Sequence, residues 1–202
     1  MRVSRETAAR NREQILAAAA RMFRERGITA TGVDSITRAA GLTHGGLYSQ
    51  FGSKEAIATE VIRYASARSK RRWQRAAESS AGPALLLSII ESYLAPAHRD
   101  APGHGCVIAS LATDVSRQSK TVRKAFTREL KSTLEFLAHQ IPGGTSSRQF
   151  ERAAAAFSCM VGALILARAV SDNELSERIL NAAAERVPEL AKTGKRPRRN
   201  IR

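Results

Sequence analysis

Residues 33–54 read VDSITRAAGLTHGGLYSQFGSK, two short helical patterns on either side of one glycine. Val33, Ile36, Ala39 and Ala40 recur at helical spacing, and Gly41 then ends the first pattern, because glycine enters the left-handed turn conformation without steric cost. Leu42 carries the apolar face into the turn. Thr43 is placed to cap a second helix, its hydroxyl accepting a backbone N–H of the first turn, and Leu47 and Phe51 give that helix a buried stripe at i and i+4. His44, Gly45, Tyr48, Ser49 and Gln50 are left facing outward. The spacing is that of a helix-turn-helix, a unit that reads duplex DNA. Gly45 and Gly46 each weaken a helix by about 1 kcal/mol against alanine, so their presence points to close approach of the backbone to another surface.

Working outward, Ile15, Ala19, Met22 and Phe23 form an earlier helical stripe that ends at Gly27 and would buttress the two short helices. Gly32, with Thr31 beside it, caps the first of those. Ser53 caps a long fourth helix with Ile57, Val61, Tyr64 and Ala65 inward, whose later turns carry Arg63, Arg68, Lys70, Arg71, Arg72 and Arg75. A fifth helical stripe from Leu86 to Leu94 fails at Pro96, and APAHRDAPGHG, residues 95–105, reads as a loop. A sixth pattern follows from Ile108 to Val115 and a seventh from Val122 to Ile141, stopped by Pro142. An eighth, Phe150 to Ile165, and a ninth, Leu175 to Leu190, each follow a capping-box pattern, Ser146 with Gln149 and Ser171 with Glu174. The expectation is an all-α protein of about nine helices. It has a three-helix head over residues 1–53, a larger helical body over 54–191, and a basic, disordered tail over 192–202.

Composition agrees. The chain has 202 residues, 43% of them hydrophobic, enough for a small head and a larger cored body. Its 33 Lys and Arg against 18 Asp and Glu give a formal net charge of +15, which suits a polyanionic partner. Two cysteines make no disulfide framework, so both are expected as free thiols, and His and Cys show no metal-ligand spacing. No cofactor is expected. There is no leading apolar segment with a cleavage site, and the longest apolar stretch, near 153–167, is short and followed by Arg168. A cytoplasmic protein with no membrane partner is expected. The arginines at 2, 5, 10 and 12 and the cations of the tail read as flexible arms.

Residues 39–57, AAGLTHGGLYSQFGSKEAI, resemble the DNA-binding signature of the TetR family of bacterial repressors, in which a small-residue turn precedes a short helix, an LY pair, an aromatic and SKE. Gly46 departs from that pattern where a hydroxyl residue is common, and Gly32 where Ser or Thr often caps. The resemblance implies a homodimer through the last two long helices, a small-molecule effector in the body and a double-stranded DNA operator. A two-fold dimer sets its reading helices in successive major grooves about 34–36 Å apart, which predicts a palindrome.

Within each half-site, His44 and Gln50 are candidates for base edges, since imidazole can donate and accept and a glutamine amide pairs with adenine in bidentate fashion. Thr43, Tyr48, Ser49 and Lys54 are candidates for phosphate, and Thr31, Gly45 and Gly46 complete the expected DNA-binding set. In the body, Tyr64, Trp73, Tyr93, Cys106, Phe126, Phe136, Phe157 and Met160 are candidates to line an effector pocket for a small apolar or aromatic molecule. Cys106 follows Gly103, His104 and Gly105 at the start of a helix, where unpaired N–H groups favour a thiolate, so it is also a candidate sensor of electrophiles or oxidants. Two other classes compete: a DNA-coating protein without sequence preference, and an enzyme with Cys106 as nucleophile and His104 or His139 as base. No serine elbow, phosphate loop or carboxylate pair accompanies that cysteine, so no enzyme is expected.

Overall fold

Hydroxyls open three of the first four helices. Ser4, Thr43 and Ser53 each hold an extended backbone and accept from the N–H three residues on, satisfying one of the orphan donors of a first turn. The computed structural model describes residues 4–192. Its helices are α1 (Arg5–Arg26), α2 (Val33–Ala39), α3 (His44–Phe51), α4 (Lys54–Ala77), α5 (Gly82–Tyr93), α6 (Pro96–Asp100), α7 (Val107–Val115), α8 (Lys120–Ala138), α9 (Ser146–Ala169) and α10 (Asn173–Ala191). A 3-10 turn, Pro102–His104, precedes α7, and no strand occurs among the described residues.

Helices α1, α2 and α3 form the head around Ile15, Phe23, Ile36 and Leu47, all fully buried. Each such side chain contributes roughly 1.5–3 kcal/mol on leaving water. Gly41 takes φ +67° between α2 and α3, the conformation its position demands. Helix α4 packs on α1 at one end and on α8 further along, while α9 packs against both α8 and α10. The core of the head therefore runs without a break into the core of the body.

Several boundaries differ from the sequence reading. The segment after Leu94 is not a plain loop, because Pro96 begins a helix instead of only ending one; proline at a first helical position gives up an N–H that would have no partner. Thr145 caps α9 through Arg148 N and Asp172 caps α10 through Leu175 N, each one residue off the capping boxes expected at Ser146 and Ser171. Arg5, Arg10 and Arg12 are not in a flexible arm, since α1 already runs through them. Arg12 lies over the Phe51 ring at 4.3 Å and pairs with Glu60 at 3.3 Å, which ties α1 to α3 and α4. Arg2 and residues 193–202 of the expected tail lie outside the described residues.

Helix α9 is long and apolar enough to cross a membrane, with a window of mean hydropathy 1.5. In the fold it lies between α8 and α10 and buries Ala153, Ala156, Phe157, Met160 and Leu164, as a core helix does. Its far end and α10 keep Ile165, Leu166, Leu175 and Leu190 exposed.

Candidate nucleic-acid interface and body cavity

Helix α3 is short and held from one side. Leu47 and Phe51 bury, which turns Thr43, His44, Gly45, Tyr48 and Ser49 to the exposed face. Gly46 and Gln50 sit on its flanks, half-buried, so Gln50 is less outward than its position in the sequence suggests. The imidazole of His44 lies 2.5 Å through Nδ1 from Asp34 Oδ1 and 5.0 Å from the Tyr48 ring, linking the starts of α2 and α3. A Cβ added at Gly45 would meet nothing within 4 Å, so no packing among the described residues requires that glycine.

Two further candidates are placed differently from one another. Lys54 stands at the start of α4, where its Nζ donates to Thr29 O at 3.1 Å. Thr31 cannot touch DNA in this fold: it is 1% exposed, and its hydroxyl donates to Gly27 O at 2.7 Å, fixing the turn between α1 and α2. A threonine beside a glycine cap reads as surface in sequence, because the partner is a carbonyl reached only after the chain reverses.

The body brings together five of the eight aromatic and sulfur candidates. Trp73, Tyr93, Cys106, Phe136 and Phe157 line one apolar cavity, with Ser66, Arg72, His98 and Ile108 among the other walls. Trp73 stacks on Phe136 at 5.8 Å and Tyr93 meets Phe157 edge-on at 5.9 Å. The cavity volume is about 30 Å³, room for a water or two, so the aromatics nearly fill it. Ser66 and Tyr93 nevertheless carry buried hydroxyl oxygens with no hydrogen-bond partner among the described residues. Burial, with Cys106 beside it, pushes the Tyr93 hydroxyl well above the ordinary tyrosine range.

Three candidates fall outside that cavity. Tyr64 is on another side of α4, where its hydroxyl donates to Glu13 at 2.8 Å and accepts from Arg68. Met160 is fully buried core, and Phe126 packs against the core from α8. Aromatic and sulfur side chains at helical spacing serve core and cavity alike, so sequence spacing does not separate them.

Cys106 is the N-cap residue of α7 and is 9% exposed. Its backbone N–H donates to His98 Nε2 at 3.0 Å, while His98 Nδ1 is 2.6 Å from Tyr93 O. This pattern fixes a neutral ring protonated at Nδ1. Burial holds His98 below its ordinary pKa, and Arg168 and Arg72 push the same way. Arg168 in turn donates to His98 O at 2.6 Å and Arg99 O at 3.0 Å, clamping α6 to α9. A Cβ on Gly105 would come within 2.9 Å of the side-chain ends of both Arg168 and His98, so a larger residue there would displace one of them. Neither His98 nor Arg168 stood out in the sequence; the one available signal was the pair of glycines around His104.

Comparison with known proteins follows the same division. The family model described as bacterial regulatory proteins of the tetR family matches residues 15–61. The model described as a tetracyclin repressor-like C-terminal domain matches residues 82–183. The chain is 27% identical over 117 residues to the HTH-type transcriptional repressor DhaR of Mycobacterium sp. (strain GP1), covering 58% of each chain. It is 46% identical over 52 residues to the HTH-type transcriptional repressor KstR2 of Rhodococcus jostii (strain RHA1), covering 26% of each. The aligned segments thus span only part of these curated relatives. Among solved structures, a TetR transcriptional regulator from Legionella pneumophila superposes with a TM-score of 0.77 at 18% identity, over 94% of this chain and 98% of that one. The reduced form of NemR from E. coli gives 0.74 at 21% identity, over 88% and 94%.

Proposed function

The chain belongs to the TetR family of bacterial regulatory proteins, and on that footing we propose that it is a cytoplasmic repressor that binds a palindromic operator as a homodimer. The observation that carries this reading is the exposed face of α3: a capped, glycine-rich helix offering Thr43, His44, Tyr48 and Ser49, on a chain of net charge +15. With Nδ1 of His44 engaged by Asp34, Nε2 is the atom that meets a base edge, and Gln50 reads from the flank. Thr43, Tyr48, Ser49 and Lys54 take phosphates and set the register, while Gly45 and Gly46 let the backbone approach. The apolar residues left exposed on α9 and α10 support pairing with a second copy through those helices. Both curated relatives, DhaR and KstR2, are themselves HTH-type transcriptional repressors.

Release from DNA acts through the body cavity. The closed cavity has room for a water or two, so a small apolar effector with one polar group must separate Trp73 from Phe136 to reach the aromatic walls and the unpartnered hydroxyls of Ser66 and Tyr93. Modification of Cys106 has the same effect, because an adduct on that sulfur exceeds the space available.

The test is selection of genomic fragments by the purified protein at about 0.15 M salt, where nonspecific phosphate attraction is partly screened. Enrichment of one short palindrome is the expected result. Even binding that vanishes with added salt would identify a DNA-coating protein instead. On the selected site, Lys54→Ala should weaken all sequences alike and His44→Ala should relax base preference. N-ethylmaleimide should release the native protein and leave Cys106→Ser bound; release of both would remove the thiol from the scheme.

A further inference from the structure

A second cavity adjoins the first along α4, with Arg72 in the wall of both. It is an open cleft of about 820 Å³ between α1 and α4, reaching Ala39 and Ala40 of α2 at one end and His104 at the other. Its walls carry Arg21 and Arg24 from α1 and Arg68, Arg71, Arg72 and Arg75 from α4, with no Asp or Glu in the lining. None of these six lies within ion-pair distance of a carboxylate among the described residues, although Arg12, Arg63, Arg99 and Arg117 all do. On α4 the spacing is i, i+3, i+4, i+7, which stacks like charges on one face and opposes helix stability. Burial and the nearby Arg68 also press the Arg24 guanidinium below its ordinary pKa. Among the described residues only Arg24 and Arg68 of the six make hydrogen bonds, to Gly103 O and Tyr64 Oη.

We propose that this cleft is a binding site for a small polyanion carrying two or more phosphate groups. The guanidinium is a planar fork that meets phosphate oxygens in bidentate fashion, and six from two facing helices exceed what a single monoanion would neutralise. Ala17, Ala18 and Ala65 give the floor a smooth apolar strip for an organic moiety. The occupant is not the operator: Arg68 to Arg75 stand roughly 21–32 Å along the helix from Lys54, too far for the backbone gripped by α3. Because α1 belongs to the head and α4 continues into the body, an occupant bridging Arg21 and Arg71 fixes the angle between them. That consequence rests on the regulator reading, whereas the site itself does not.

The experiment is calorimetric titration of the full, DNA-free chain with inorganic tripolyphosphate in about 0.15 M salt, where diffuse attraction is screened beyond about 8 Å. Saturable binding of one molecule per chain is expected. Arg21→Gln/Arg71→Gln, a pair that makes no side-chain hydrogen bond or ion pair among the described residues, should weaken it roughly tenfold or more. Arg71→Gln/Arg75→Gln, on the exposed face of α4, serves should the first pair perturb folding. The equal charge change Arg123→Gln/Arg178→Gln, at exposed positions elsewhere, should leave binding unchanged. Absence of saturable binding, or an equal loss in that control, overturns the proposal. So does a fall in DNA affinity from the cleft variants with no tripolyphosphate present, since the cleft would then be DNA surface. A missing palindrome, by contrast, bears only on the regulator reading.

Discussion

The exposed face of α3 in the head and the cavity of the body are built by opposite routes. Thr43 to Lys54 make their surface from consecutive residues, with caps that reach three positions along the chain. The cavity draws on Trp73, Tyr93, His98, Cys106, Phe136 and Phe157, held by Arg168 from α9. One surface is exposed and stands on a core that does not need it; the other is itself core. If α3 meets DNA as proposed, a change to the outward residues His44, Tyr48 and Ser49 alters binding with the fold intact, whereas a change in the cavity alters stability and site together.

The sharpest way to break that contrast is Phe157→Ala. Phe157 is buried between α9 and the Tyr93 ring, so truncation should cost about 3–5 kcal/mol, read as a fall in the urea midpoint. A loss below about 1 kcal/mol would show a cavity that collapses freely, and the cavity would then be as separable from the fold as the head surface is.

Arg168→Gln comes next. It leaves the carbonyls of His98 and Arg99 without their charged donor, and about 1–3 kcal/mol should be lost in the same assay. If stability held, α6 would be fixed against α9 by packing alone, without those two hydrogen bonds.

The same contrast explains what the sequence could tell. Gly41, Thr43, Leu47 and Ser53 act on neighbours three to five positions away, so their roles follow from spacing. Thr31 was misplaced although its partner, Gly27 O, is only four positions back, because that bond depends on how the turn after α1 folds and not on helical spacing. His98 and Arg168 are far apart in the chain, and nothing local marks either as the other's partner. The basic cleft was half legible: the α4 arginines show in the sequence, but that they face Arg21 and Arg24 depends on how α1 lies against α4.

On the head side, Thr43→Ala removes the hydroxyl that accepts from Gly46 N at 3.3 Å. About 1 kcal/mol of stability should go, since two glycines already weaken that turn of helix. Amide exchange over residues 44–51 should speed up while that of α9 stays constant. Acceleration in both would mean that the head shares its cooperativity with the body, and the contrast would fail at this point.

The smallest effect is a pH dependence confined to the cavity side. His98 is neutral in the fold because Nε2 accepts from Cys106 N–H, and burial, with Arg168 and Arg72 nearby, holds its pKa below the ordinary 6.5. The unfolded chain therefore takes up this proton first as pH falls. Stability from His98 is complete above about pH 6.5 and declines as pH drops through that value towards the lower folded pKa. Protonation also turns Nε2 into a donor facing the Cys106 N–H, so the start of α7 loses its acceptor. Glutamine at this position does not titrate and keeps a carbonyl oxygen to accept that bond. His98→Gln should then show a flatter urea midpoint than the native chain between about pH 7 and pH 5.5, where the ordinary carboxylates remain largely ionised. Identical slopes would mean that His98 charges in the fold as easily as in water, and that the loop before α7 opens far enough to admit solvent.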